Sequence, residues 1–257
     1  MKIKTRSNLR KPPAESHSSR TDRGNRQILE DRVIKDKFVE KRVNKPLVPM
    51  NDLQKDYIDA LKDDSVNTIL CTGYAGTSKT FLPSVIAADL FYTGKIKKIY
   101  IIRPPISRSK SLGFFSGSLL EKALCWAAPV MQVLIERLGQ AVVDIALKNG
   151  TIELIPMETI KGRSLQDCWV LCDEAEDLTI EELKKVVTRQ GKNSKLILSG
   201  DVMQCDLSSK SGLAKGIEMA DKYPDLGVVV IDFNRPSDIV RSGQVKQWIL
   251  AFNREGL

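Results

Sequence analysis

Histidine is almost missing: His17 is the only one in 257 residues. The five cysteines (Cys71, Cys125, Cys168, Cys172, Cys205) are odd in number, scattered, and mostly set within apolar runs. Cys168 and Cys172 lack the Cys-x-x-Cys spacing of a zinc or redox site. Metal-hydrolase and disulfide-built secreted classes are therefore set aside, and free buried thiols in a reducing cytoplasm are expected. No apolar run approaches the roughly 20 residues of a membrane span. The Lys/Arg-rich start also lacks the apolar stretch of a signal peptide. A cytoplasmic protein with no membrane partner is the expectation.

Outside the first 45 residues the sequence has no net charge at all. Residues 1–45 carry 14 basic and 6 acidic side chains, whereas the remainder holds 26 of each, so the arm carries the full net charge of +8. Up to about Arg26 this arm contains Ser, Arg and Pro and few large apolar residues, which predicts a largely disordered segment. A weak apolar pattern (Leu29, Val33, Phe38) allows a marginal helix after it. Such an arm either solubilises the protein or contacts a phosphate backbone.

From Leu47 onward short apolar runs alternate with amphipathic stretches. Residues 67–72, 98–102, 151–155, 169–172, 195–198 and 227–231 read as buried strands, with helices over 52–62, 79–91, 119–147, 179–188, 213–222 and 239–252. This order predicts an α/β domain over residues 46–257, a mostly parallel sheet with helices on both faces. The stretch 103–118 is a long loop with two prolines and an aromatic pair, Phe114 and Phe115.

Gly73-Tyr74-Ala75-Gly76-Thr77-Ser78-Lys79-Thr80 follows the first predicted strand and precedes a helical pattern, the context a phosphate-binding loop requires. Backbone N–H groups there would face nucleotide phosphates, helped by the helix dipole. Lys79 would reach the β- and γ-phosphates, and the Thr80 hydroxyl would ligate Mg²⁺. The strict pattern has glycine before the lysine. Ser78 stands there, so the loop is expected to adopt a conformation that a non-glycine residue tolerates.

A second signal is the apolar run Cys168-Trp169-Val170-Leu171-Cys172 ending in Asp173-Glu174-Ala175-Glu176. Carboxylates at a strand's C-terminal end sit where α/β sheets bind ligands. Asp173 can hold Mg²⁺, and Glu174 can polarise an attacking water. The plainer reading is an acidic turn in which Glu176 and Asp177 cap the helix starting near Thr179. A third strand end carries Gly200-Asp201-Val202-Met203-Gln204, where Gln204 would lie beside the γ-phosphate.

These motifs, with Ile101-Ile102-Arg103-Pro104, Leu112-Gly113-Phe114, Lys161-Gly162-Arg163-Ser164-Leu165 and Asp238-Ile239-Val240-Arg241, occur in the order of the PhoH family, which the chain resembles from about Leu47 to Phe252. That family is similar to the ATP-binding core of superfamily 1 helicases. The resemblance implies a single RecA-like P-loop domain that hydrolyses ATP with Mg²⁺. It further implies RNA or single-stranded nucleic acid as partner, RNA helicase-like activity, and a homo-oligomeric ring, a hexamer by family likeness. By the same resemblance Gln54 helps hold the adenine, and Arg103 and Arg163 lie near the nucleotide or nucleic acid. Arg241 acts as a γ-phosphate finger, in cis or across a subunit interface. The chain departs from the family pattern at Ser78, Lys161, Ser164, Glu176 (usually glutamine) and Ser242 (usually histidine), which bears on the rate of hydrolysis.

Three other functions fit parts of the sequence. A small-molecule kinase could use the same loop, although paired carboxylates and Gly-Asp-x-x-Gln suit water attack better than an acceptor hydroxyl. A nucleotide-gated assembly module with little turnover fits the departures. A bare nucleic-acid-binding protein would rely on the arm, or on Arg108, Lys110, Phe114 and Phe115 of the long loop.

Overall fold

The apolar runs become strands because each is bounded by a turn signal and is too short for a helix. In the computed structural model, which describes residues 44–104, 124–205, 207 and 210–255, these strands are β1 (Thr68–Gly73), β2 (Lys98–Arg103), β3 (Ile152–Pro156), β4 (Cys168–Cys172), β5 (Lys195–Ser199) and β6 (Val228–Phe233). They form one sheet in the order β3-β2-β4-β5-β1-β6, and every pairing is parallel. The expected α/β class and parallel sheet are observed. The basic arm to residue 43 and the loop segment with Arg108, Lys110, Phe114 and Phe115 lie outside the described residues.

Alternation along the strands sends side chains into two cores. Ile69, Cys71, Ile99, Ile101, Trp169, Leu171 and Ile197 pack on one face against α1 (Asp52–Lys62), α2 (Phe81–Tyr92), α3 (Ala128–Leu138) and α4 (Gln140–Lys148). Leu70, Tyr100, Ile102, Val170, Cys172, Leu196 and Leu198 pack on the other with α5 (Ile180–Val187) and α6 (Gly212–Lys222). Helices therefore cover both faces, and the middle strands are buried along nearly their whole length. The final helix, α7, spans Gly243–Glu255.

Two helical expectations need correction. The stretch 119–147 is not one helix: α3 and α4 are separated by Gly139, at φ 91° and ψ 147°, a backbone state outside any helix. The last helix starts four residues later than expected, because Pro236–Asp238 forms a short 3-10 turn and Ile239 is extended. The α5 start is capped by Thr179, whose hydroxyl accepts from Glu182 N while the Glu182 carboxylate accepts from Thr179 N. Glu176 takes no part in that cap.

A lysine inside the sheet is the least expected core residue. Lys195 is 6% exposed, and its ammonium donates to the carbonyls of Ala60 (3.1 Å), Leu61 (2.9 Å) and Asp63 (2.7 Å). It thus satisfies the orphan carbonyls at the end of α1, and it lies 5.6 Å from the centre of the Trp169 ring. Replacing it by methionine keeps the stem but removes the ammonium donor from all three carbonyls, of which Asp63 O retains Val66 N at 3.2 Å. Lys195→Met is expected to cost roughly 2–3 kcal/mol in urea unfolding; a loss below about 0.5 kcal/mol would show that water takes over the cap.

Candidate functional site: three adjacent strand ends

The order β4-β5-β1 sets three polar strand ends side by side at the carboxyl edge of the sheet. Behind β1 the loop is held from several sides. Tyr74 N donates to Phe233 O, Gly200 N donates to Cys71 O, and Val240 N donates to Gly76 O, each at 3.0 Å. Thr77, fully buried, donates its hydroxyl to Tyr74 O at 2.9 Å. Tyr57 and Ser199 hydroxyls both donate to Lys79 O at 3.3 Å. The loop is a fixed backbone cradle rather than a free turn.

Gly76 and Ser78 both occupy the left-handed region, at φ 75° and 74°. The expectation that Ser78 makes the loop choose a serine-compatible conformation is therefore corrected. The loop keeps its left-handed shape, and Ser78 carries a local cost of about 1–2 kcal/mol. The surrounding bonds over-determine the shape, which is why one unfavourable residue does not change it. Gly76 has no such latitude, since a Cβ there would come within 2.5 Å of Arg241 Cγ.

Lys79 extends over its own loop and donates to Gly73 O (2.5 Å) and Tyr74 O (2.7 Å). Burial lowers its pKa, while the surrounding Cys71, Asp201, Glu176 and Asp173 favour the charged form. Thr80 begins α2 but does not cap it; its hydroxyl donates instead to Asp173 Oδ1 at 2.7 Å. Burial raises the Asp173 pKa and the Thr80 bond opposes that rise. Asp201, 8% exposed, accepts from Met203 N at 3.1 Å; burial raises its pKa and Lys79 opposes the rise.

A cavity of about 660 Å³ joins these groups, a size suited to a nucleotide. Its walls include Ala75 to Phe81 of the loop, Asp173, Glu174 and Glu176 beyond β4, Gly200, Asp201 and Gln204 beyond β5, and Val240 and Arg241. Pro129, Gln132, Val133 and Glu136 of α3 close one side. Of the residues singled out in the sequence, Ala75, Gly76, Thr77, Ser78, Lys79, Thr80, Asp173, Glu174, Gln204 and Arg241 meet here. Gly73 and Tyr74 contribute the carbonyls that hold Lys79.

Three expected ligand contacts lie elsewhere. Gln54 is buried behind the loop, where its Oε1 accepts from Met50 N (2.9 Å) and its Nε2 donates to Thr77 O (3.3 Å). It supports the cradle rather than lining the cavity. Arg163 pairs with Glu153 of β3 at 2.6 Å, on the edge strand farthest from β1 on that side. Arg103 pairs with Glu174 and donates to Trp126 O, so it orients a cavity carboxylate without lining the cavity itself.

Sequence reasoning gave no site role to Glu176 or Asp201, nor to the α3 wall. Both acids stand inside quoted motifs, so their position was a usable signal. The α3 residues carry no motif.

A Mg²⁺ ion fits this donor set. Mg²⁺ takes few protein oxygens and completes its shell with water and phosphate. The Thr80–Asp173 pair, at the foot of the cavity next to Lys79, supplies one hydroxyl and one carboxylate. Among the described residues no cluster of three or more His, Cys, Asp or Glu forms a protein-only metal site. No helix among them is long and apolar enough to cross a membrane.

Comparison with known proteins gives the family and the fold. The family model described as PhoH-like protein matches residues 46–253. The PhoH-like protein of Bacillus subtilis (strain 168) is 35% identical over 204 residues, covering 79% of this chain and 62% of that protein. Protein PhoH of Escherichia coli (strain K12) is 31% identical over 216 residues, covering 82% and 60%. The chain thus spans about 60% of the length of these curated relatives. Among solved structures, the HK97 bacteriophage large terminase superposes with a TM-score of 0.52 at 15% identity, covering 87% of this chain and 52% of that one. That likeness is one of fold.

Proposed function

This chain belongs to the PhoH-like protein family, and on that premise we propose that it is an ATPase that binds ATP with Mg²⁺ in the strand-end cavity and hydrolyses it. The observation that carries the reading is the convergence on one cavity of Lys79 and Thr80 from beyond β1, Asp173 and Glu174 from beyond β4, and Gln204 from beyond β5 between them. The loop N–H groups and the start of α2 would hold the β- and γ-phosphates. Lys79 would exchange its two loop carbonyls for phosphate oxygens, and Thr80 with Asp173 would hold the metal. Bound Mg²⁺ supplies charge neutralisation on the phosphate oxygens. Glu174 would take a proton from the attacking water while Arg103 fixes its orientation, and Gln204 would position that water.

Coupling to RNA or single-stranded DNA, helicase-like remodelling, a cytoplasmic location and assembly into a homo-oligomeric ring belong to the same proposal. Their support is the family membership and the basic arm. A second reading, a nucleotide-gated module with little turnover, is favoured by the ion pair that occupies Glu174. The experiment that separates the two is Mg²⁺-dependent ATP turnover with and without single-stranded RNA or DNA. Under the ATPase reading, Glu174→Gln binds ATP within a few-fold of wild type but turns over about 100-fold more slowly. Single-stranded nucleic acid raises the wild-type rate. Equal turnover by the two proteins would remove Glu174 as the base, and indifference to either strand would remove the coupling.

A further inference from the structure

Glu176 lines the cavity but has no role in the chemistry proposed above. It sits in the 3-10 turn Ala175–Asp177, three residues beyond Asp173, and is 6% exposed although it lines the cavity. Among the described residues its Oε2 has no hydrogen-bond partner. Gly200 leaves the space that this oxygen fills: a Cβ there would come within 2.0 Å of Oε2. The carboxyl is therefore pressed between the ends of β4 and β5 with one oxygen unsatisfied.

The groups around it disfavour a second negative charge. Glu174 and Asp177 lie on its own turn, and Asp173 and Cys172 precede it on β4; its own backbone N–H and that of Asp201 at the end of β5 oppose them by donating to the carboxylate. Lys79 across the loop is the nearby cation, and the Cys205 thiol donates to the Glu176 backbone carbonyl. Burial, reinforced by Glu174, pushes the Glu176 carboxyl up to about 8. At neutral pH it carries its proton. A neutral carboxyl offers an O–H donor beside a carbonyl acceptor, and a glutamine amide likewise pairs a donor group with a carbonyl acceptor.

We propose that Glu176 works as a neutral carboxylic acid whose O–H donates to a phosphate oxygen of the nucleotide in the cavity. The inference rests on the reading that the cavity takes ATP. An O–H donor attracts a phosphate oxygen, whereas a carboxylate in the same place repels it. Ionisation of Glu176 then removes the binding-competent form of the pocket.

The test measures ATP affinity with Mg²⁺ at pH 7 and pH 9 for wild type, Glu176→Gln and Glu176→Ala. A group titrating at about 8 is mostly neutral at pH 7 and about one-tenth neutral at pH 9. Wild-type affinity is therefore expected to weaken about tenfold over that range, because only the competent fraction binds. Glu176→Gln, which cannot ionise, changes less than about twofold, and Glu176→Ala binds weakly at both values. Parallel alkaline weakening of wild type and Glu176→Gln, with ATP bound by both, leaves the ATP reading standing and overturns the donor. Absence of ATP binding by either protein at any pH overturns both.

Thermal unfolding without nucleotide gives an independent readout. The folded value is raised from 4.5 to about 8, so the carboxyl's contribution to stability is complete below about pH 4.5 and lost as pH rises to about 8. Glu176→Gln should therefore melt about 5 °C above wild type at pH 8 and close to it at pH 5. A melting difference that ignores pH would overturn the neutral carboxyl.

Discussion

Lys79→Ala is expected to abolish ATP turnover and to weaken ATP binding by about two to three orders of magnitude, the loss of one preorganised charge in a desolvated site. The lysine is half-buried at the neck of the phosphate loop, where desolvation already lowers its pKa. Desolvation makes its field stronger on any anion that enters, since little water remains to screen it. In the free protein it is satisfied by Gly73 O and Tyr74 O, which are loop carbonyls and cannot follow it into the alanine variant. The loop itself should survive, because Tyr74, Gly76 and Lys79 are also pinned by backbone and hydroxyl bonds from β6, Val240, Tyr57 and Ser199. Isothermal titration with ATP and Mg²⁺, beside a circular-dichroism melt, separates the two losses. Turnover within tenfold of wild type would mean that the phosphates do not bind where the loop points.

The strands were legible because each is a short apolar run closed by a turn signal, and their burial on both faces gave the parallel sheet. The site was legible for the same reason. Lys79, Asp173 and Asp201 stand at the ends of such runs, and a parallel sheet puts all strand ends of one polarity on one edge. What stayed hidden depends on neighbours distant in sequence. Gly139 broke a helix because its own backbone left the helical region, while the apolar periodicity on either side continued. Lys195 opens a run read as a buried strand, and only the end of α1 explains how its ammonium is satisfied there. Gln54 and Arg163 matched family positions, yet local partners, Thr77 O and Glu153, decide where they point. Glu176 looked like a helix-capping acid, and the absence of a side chain at Gly200 gave it a place inside instead.

Arg241→Ala is expected to lower turnover about 1,000-fold while ATP affinity changes less than tenfold, the pattern of a group acting on transition-state charge. The sequence left open whether this arginine serves its own site or a neighbour's. The geometry favours its own. Arg241 lines the same cavity as Lys79, and its aliphatic stem lies so close over Gly76 that a Cβ there would meet Cγ at 2.5 Å. The preceding residue is tied to the loop, since Val240 N donates to Gly76 O at 3.0 Å. A side chain anchored to the loop by its own stem and by the adjacent backbone moves with that loop, not with a neighbouring subunit. Mixing Arg241→Ala with Lys79→Ala protein should therefore restore nothing, even if the chains assemble into a ring. Each mixed site would carry either a missing lysine or a missing arginine of its own. Recovery of activity toward a quarter or more of wild type would instead require the arginine to reach across an interface, and the cis assignment would be withdrawn.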